Sequence, residues 1–162
     1  GEGAFIDISM TDAAFALNAM AGAAALAGGV EQKPEGGMLN GGTFYDYYQT
    51  SDGRWLSVGS LEPQFSAWLC DTLGISEMKS FALSQNPEHQ QRLKAAIKEK
   101  IAGKTFAEWR EVFAEVDACV EPVLTIEEAA EHPQIVARGM VVEEDRGDGY
   151  SQNQLGYPIV FR

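Results

Sequence analysis

The stretch "TFYDYYQTSDGRWLSVGS", residues 43–60, constrains the fold more than any other part of the chain. Two β-prone runs, 44–50 and 55–60, flank "SDG", whose glycine supplies the positive φ that a tight hairpin turn needs. Immediately after it, "LEPQFSAWLCDTLG" sets Phe65, Trp68, Leu69 and Leu73 at helical spacing, with Gly74 as the stop. Pro63 suits the first helical turn, where its missing N–H would have had no partner anyway. A β-ribbon therefore runs straight into an amphipathic helix, and Glu62 stands at the joint.

The rest of the chain repeats the same grammar. In "NPEHQQRLKAAIKEKIAG" Asn86 caps, Pro87 begins the helix, Leu93, Ile97 and Ile101 form its apolar stripe, and Gly103 ends it. Thr105 and Glu108 make a capping box for a helix carrying Phe106, Trp109 and Phe113. "ACVEPVLT" is a short extended piece that Pro122 confines to an edge or a bulge. Thr125 and Glu128 open another helix with a capping box, and Pro133 halts it. Two further strands are expected at 140–143 and 157–161, around a polar loop.

Ahead of the hairpin, "AFIDIS" (4–9) alternates as a strand does and leads into one helix capped by Ser9 or Thr11 and ended by Gly28 and Gly29. Its many small side chains imply close packing on a large partner surface. Residues 30–42, with four glycines and a proline, read as a flexible linker or long loop. The sum is an α+β fold: a small antiparallel sheet with flanking helices, preceded by a strand and helix that look like the last unit of another domain.

Charge narrows the function. The chain carries 24 acidic against 12 basic residues, a net charge of -12, which speaks against nucleic acid and against a polybasic membrane surface. Its most apolar window, 13–30, is Ala- and Gly-rich and holds too little Leu, Ile or Phe for a membrane span, and no secretory signal pattern opens the chain. Cys70 and Cys119 read as reduced core thiols of a cytoplasmic protein. No metal is expected, because His89 and His132 lie far apart and alone. No glycine pattern makes a phosphate loop, and no serine stands in a nucleophile elbow. His132 is either a general base or a partner of a helix C-terminus. Asp52 reads as a turn former, and Tyr45, Tyr47 and Tyr48 as a sheet face or a cleft lining.

Glu62 is the candidate catalytic residue, and two accounts compete for it. An acid at a helix start is stabilised by unpaired amides and the helix dipole, which needs no function at all. Alternatively, a carboxylate held in one direction at a strand-to-helix joint can orient the proton of a histidine. No histidine lies near it in sequence, so on the second account the partner comes from a distant or separate part of the protein.

Longer motifs carry a resemblance. The run 44–75, "FYDYYQTSDGRWLSVGSLEPQFSAWLCDTLGI", is similar to the small-domain segment of the family III CoA-transferases of the CaiB/BaiF type, most of all to their α-methylacyl-CoA racemase branch. The likeness continues at Trp109, at "DACVEPV" (117–123), at Glu128 and Ala129, and around His132. "GEGAFIDISMTDAA" resembles the strand and helix that close the family's large domain, with Ala4 where glutamine is usual.

The resemblance implies a division of the chain. Residues 1–29 would be the final strand and helix of a Rossmann-like, CoA-binding large domain, 30–42 a linker, 43–140 the small domain, and 141–162 strands returning to the large domain. It also implies a chain cut short at both ends, so that the family's catalytic histidine and aspartate would lie upstream of Gly1 and the fragment alone would be inactive. The expected activity of the whole protein is inversion of the α-carbon of 2-methylacyl-CoA thioesters, with Glu62, in the family's E-P-x-F motif, supporting the histidine. No cofactor is implied, since CoA enters as part of the thioester substrate, and the implied assembly is an interlocked homodimer. Two alternatives stand: CoA transfer between thioesters and carboxylic acids, and a non-catalytic dimerisation or interaction module.

Overall fold

A computed structural model describes residues 3–159 apart from 32 and 40. Its first residues correct one expectation. Residues 4–9 take no regular structure, and Phe5, Ile6 and Ile8 stand 96%, 76% and 80% exposed. A strand exists through its ladder of partners, and none of the described strands pairs with this segment. The single helix expected next is two, α1 (Met10–Ala16) and α2 (Ala19–Gly28), bent by 72° at the break. Ser9 caps α1 by accepting from the Asp12 amide. At the break, Asn18 turns its side-chain amide onto the Ala14 carbonyl at 3.0 Å, the competition with helical bonding that disfavours this residue inside helices. Gly29, at φ 63, then ends α2. No single helix among the described residues is long and apolar enough to cross a membrane.

The end of the glycine-rich stretch is folded, not loose. The Gly42 amide donates to the Gly37 carbonyl at 3.1 Å, and the Thr43 hydroxyl donates to the Met38 carbonyl at 2.8 Å. Lys94, from a later helix, donates to the Gly41 carbonyl at 2.8 Å and pairs with Asp46 at 2.5 Å. Glycine is required at 42, where a Cβ would lie 2.7 Å from the Gly37 carbonyl oxygen.

The hairpin forms as expected from β1 (Asp46–Gln49) and β2 (Trp55–Val58), antiparallel, with Tyr48 opposite Leu56. Gly53 takes φ 80 in the turn, and Asp52 accepts from the Thr50 hydroxyl at 2.6 Å. After the ribbon come α3 (Pro63–Thr72), a 3-10 turn, α4 (Lys79–Ala82), α5 (Pro87–Ile101) and α6 (Phe106–Ala114). The expected caps are present: Asn86 accepts from the Glu88 amide, and Thr105 with Glu108 completes its box. β3 (Val120–Pro122) pairs antiparallel with β2, giving a three-stranded sheet of order β1-β2-β3, so Pro122 sits on an edge strand where a missing N–H is tolerated. The core lies between this sheet and α3, α5 and α6, filled by Phe44, Leu56, Val58, Leu69, Leu93 and Ile97 among others.

Beyond β3 run α7 (Ile126–Ala130), with the Thr125–Glu128 box intact, and α8 (Pro133–Ala137). A separate two-stranded ribbon follows, β4 (Val141–Asp145) and β5 (Ser151–Leu155). Its second strand corrects the placement at 157–161. "SQNQL" is exposed throughout and lacks the apolar alternation by which strands are read, and the turn sets its pairing through Gly147 donating to the Asp145 carboxylate at 2.8 Å. Residues 157–159 lie outside any strand, and 160–161 fall outside the described residues. The architecture is α+β, with small antiparallel sheets and flanking helices, as the sequence implied.

Candidate functional site

Three consecutive ties deliver the chain to Glu62. Val58 pairs with Val120, the Gly59 amide donates to the Cys119 carbonyl at 2.8 Å, and the buried Ser60 hydroxyl donates to the Ala118 carbonyl. The exit of β2 is thereby zipped to the entry of β3. Cys119 holds φ 52, a region that costs a non-glycine residue on the order of 1–2 kcal/mol, and it does so where its carbonyl meets Gly59.

Glu62 then occupies the N-cap of α3 with φ -68 and ψ 145, the extended conformation of that position. Its carbonyl accepts from the Ser66 amide at 3.0 Å and the Ser66 hydroxyl at 3.1 Å, so the backbone is fixed on the helix side as well. Its side chain makes no capping hydrogen bond, and the residue is exposed. A capping carboxylate would turn inward onto the second or third amide of the helix. This one does not, so capping hydrogen bonds fail to account for glutamate at this joint.

The electrostatics around it are negative. Burial pushes the Cys119 thiol up, and Asp117, Glu62 and Glu121 push it further. A cluster of carboxylates of this kind favours a protonated imidazole and repels phosphates.

Two clefts lie in this part of the chain, one at the entry of β3 and one beside the start of α3. One, of about 570 Å³, is lined by Leu56, Trp109, Arg110, Phe113, Cys119 and Glu121 among others. The second, of about 480 Å³, is flanked by Leu61 and Pro63, the neighbours of Glu62, and is lined by Met38, Phe44, Leu83 and Gln90. Gln90 gave no signal in the sequence, because glutamine on a helix usually faces water. Here it is buried, at 6% exposure.

The other candidates settle into structural work. His132 caps α8, its Nδ1 accepting from the Gln134 amide at 3.2 Å, so it serves a helix N-terminus and not the C-terminus proposed for it. His89 stacks on Phe81 at 4.4 Å and pairs with the Ser84 hydroxyl at 2.9 Å. Asp52 does form the turn, and it also accepts from the Phe106 amide at 3.1 Å, joining the turn to α6. Tyr48 is buried with its hydroxyl donating to the Phe44 carbonyl, whereas Tyr47 is exposed. Cys70 belongs to the core, its thiol pushed up by burial to about 11, and both cysteines are free thiols. Among the described residues no group of three His, Cys, Asp or Glu could hold a metal ion.

The whole chain, residues 1–162, matches the family model described as CoA-transferase family III. The chain belongs to this family. The family III chain is 37% identical to the α-methylacyl-CoA racemase of Mus musculus over 133 residues, which are 82% of the chain and 35% of that relative. It is 29% identical to the acetyl-CoA:oxalate CoA-transferase of Acetobacter aceti over 147 residues, covering 88% of the chain and 38% of that relative. It thus spans little more than a third of the length of these curated relatives. Among solved structures, a CaiB/BaiF family protein from Brucella suis superposes with TM-score 0.67 at 22% identity, over 96% of the chain and 41% of that protein. Rv3272 from Mycobacterium tuberculosis, in its orthorhombic form, gives TM-score 0.69 at 17% identity, over 97% of the chain and 41% of that protein. At these identities the superpositions speak for the fold.

Proposed function

We propose that the chain is the small-domain part of an acyl-CoA racemase that inverts the α-carbon of 2-methylacyl-CoA thioesters. The observation that carries this reading is the Glu62 carboxylate, exposed and unused by its own helix on a backbone tied from both sides. The 37% identity with the mouse α-methylacyl-CoA racemase supports it.

In this mechanism an imidazole from the large domain removes the α-proton, and the electron pair passes onto the thioester oxygen as an enolate. A second acid returns a proton from the opposite face, so no atom is gained or lost. Glu62 accepts from the far N–H of the imidazole, fixes its tautomer and steadies the imidazolium that forms. The neighbouring Asp117 and Glu121 add to the field that favours this cation. The CoA phosphates are held away from this acidic joint, by the large domain. Residues 1–29 are taken as the closing element of that domain, 30–42 as the connection, 43–140 as the small domain and 141–162 as the return, in an interlocked homodimer. The 162-residue chain by itself catalyses no exchange on this reading.

A second reading rests on the likeness to the oxalate CoA-transferase of Acetobacter aceti. In that case the protein moves CoA between a thioester and a carboxylic acid, and Glu62 is not needed. Glu62→Gln in the complete protein separates the two. Racemisation requires deuterium incorporation at the α-carbon to fall by about two orders of magnitude or more, the scale of losing an acid–base helper. Unchanged CoA transfer by the same variant supports the alternative.

A further inference from the structure

Residues 125–159 lie outside the hydrophobic core. The central cluster ends at Val120, Leu124 is the last side chain packed against it, and neither α7 nor α8 holds a buried residue. β5 is exposed throughout. The segment is nevertheless continuous in its own bonding. The His132 amide donates to the Ala129 carbonyl at 3.1 Å, the Met140 amide to the Ile135 carbonyl at 3.1 Å, and the Gly156 amide to the Met140 carbonyl at 2.8 Å. α7, α8 and the β4–β5 ribbon are thus linked turn by turn into one piece.

One ion pair fastens that piece. Among the described residues, Arg54 and Glu128 make the only hydrogen bonds and the only salt bridge that join 126–159 to residues 44–123. The carboxylate is held from both sides: Glu128 Oε2 accepts from the Thr125 amide at 2.8 Å, within the capping box of α7, and from Arg54 at 2.6 Å. The guanidinium carbon lies 3.9 Å from the Phe106 ring centroid, which keeps the arginine on the body of the fold, so a break falls at Glu128. The last tie of the sheet is the Val123 amide on the Trp55 carbonyl at 3.0 Å, which leaves Leu124 alone between the sheet and the α7 cap. The paired side chains are 34% and 38% exposed. Their two-nitrogen geometry gives the contact direction, and their exposure keeps it weak and open to screening by salt.

We propose that Arg54 and Glu128 form a salt-sensitive latch: closed, it sets residues 126–159 against the hairpin, and open, it lets them turn as one piece about Leu124. The latch responds to charge because no buried side chain of α7 or α8 backs it. An apolar attachment would have to expose its surface to open. This one needs only two half-hydrated charges to exchange each other for water and ions. It does not depend on the racemase reading. Arg54 directly precedes β2, the strand that runs to the Glu62 joint, so the latch also ties the C-terminal piece to the ribbon that carries that carboxylate.

The test is a distance distribution measured by pulsed EPR in the 162-residue chain. Spin labels are placed at two exposed positions, Lys98→Cys in α5 and Gln152→Cys in β5, with Cys119→Ser to keep the labels unique and Cys70 left in the core. The closed latch gives one main distance. Arg54→Met keeps the side-chain stem on Phe106 and removes the charge, while Glu128→Gln removes the charge and keeps a residue type that serves the capping box. Each is expected to raise the fraction of molecules at other distances by about two- to fivefold, the scale of a half-exposed pair. Sodium chloride at about 1 M is expected to do the same to the chain with both charges, and nothing further to the variants. The double variant should go no further than either single one, because both remove the same interaction. Effects that add in the double variant would mean that the two side chains act separately. That result, unchanged distances in both single variants, or indifference of the paired chain to salt overturns the latch.

Discussion

The Arg54 guanidinium holds the Glu128 carboxylate with two nitrogens, at 3.0 and 2.6 Å, across 74 residues of chain. It also lies 3.9 Å from the Phe106 ring centroid, so one side chain at the end of the hairpin turn connects α6 with the start of α7. The Arg54 hydrogen bonds are the largest cause holding the Glu128 carboxyl below its usual range. A depressed carboxyl contributes stability above its unfolded value and loses it as pH falls through the folded one. The urea midpoint of Arg54→Ala should therefore lie below that of the native chain near neutrality, with a gap that narrows in acid to what the Phe106 contact leaves. A gap independent of pH would contradict the pairing.

Core packing makes a second prediction. Ile97 is fully buried on α5 among Leu93, Leu69 and Leu56 in the central cluster. Ile97→Ala should cost about 2–5 kcal/mol in urea unfolding, from lost burial plus a residual cavity. A loss below about 1 kcal/mol would mean that the cluster does not close around this side chain.

The connection at 36–42 gives a third. A Cβ at Gly42 would lie 2.7 Å from the Gly37 oxygen and 2.8 Å from the Gly36 carbonyl carbon, both backbone. Neither can swing away as a side chain would, so Gly42→Ala should open this turn. Limited proteolysis should then cut within residues 30–43 faster than in the native chain, and equal rates would show that the turn tolerates the methyl group.

The field at the joint gives a fourth. Burial and then the charges of Asp117, Glu62 and Glu121 push the Cys119 thiol up, which suppresses its thiolate. Removing one of those charges by Glu62→Gln should speed alkylation of Cys119 by iodoacetamide at mildly alkaline pH, while Cys70, in the core, stays unreactive. An unchanged Cys119 rate would place the Glu62 charge outside reach of that thiol.

Local chemistry was legible wherever a residue acts on its own neighbours. The S-D-G turn, the Pro63 and Pro87 helix starts, and the boxes at Thr105 and Thr125 all follow from contacts within four residues, and all are present. What depended on distant partners was hidden. Residues 4–9 have the alternation of a strand but, among the described residues, no strand beside them, and β5 is a strand with no alternation to betray it. The break at Asn18 turns on one side-chain bond to Ala14. At the site, the sequence located Glu62 at the joint, yet nothing in it revealed that Cys119 would sit at positive φ opposite Gly59. Nor did it reveal that Gln90 would be buried, because both depend on which segments the fold brings together.

The proposed mechanism turns on a contact between Glu62 and an imidazole, which a crystal structure of the complete protein with a bound 2-methylacyl thioester would reveal. The expected result is a Glu62 carboxylate oxygen within about 3.2 Å of a histidine ring nitrogen whose other nitrogen faces the α-carbon. A hydrated carboxylate more than about 5 Å from any imidazole, with the thioester in place, would contradict it.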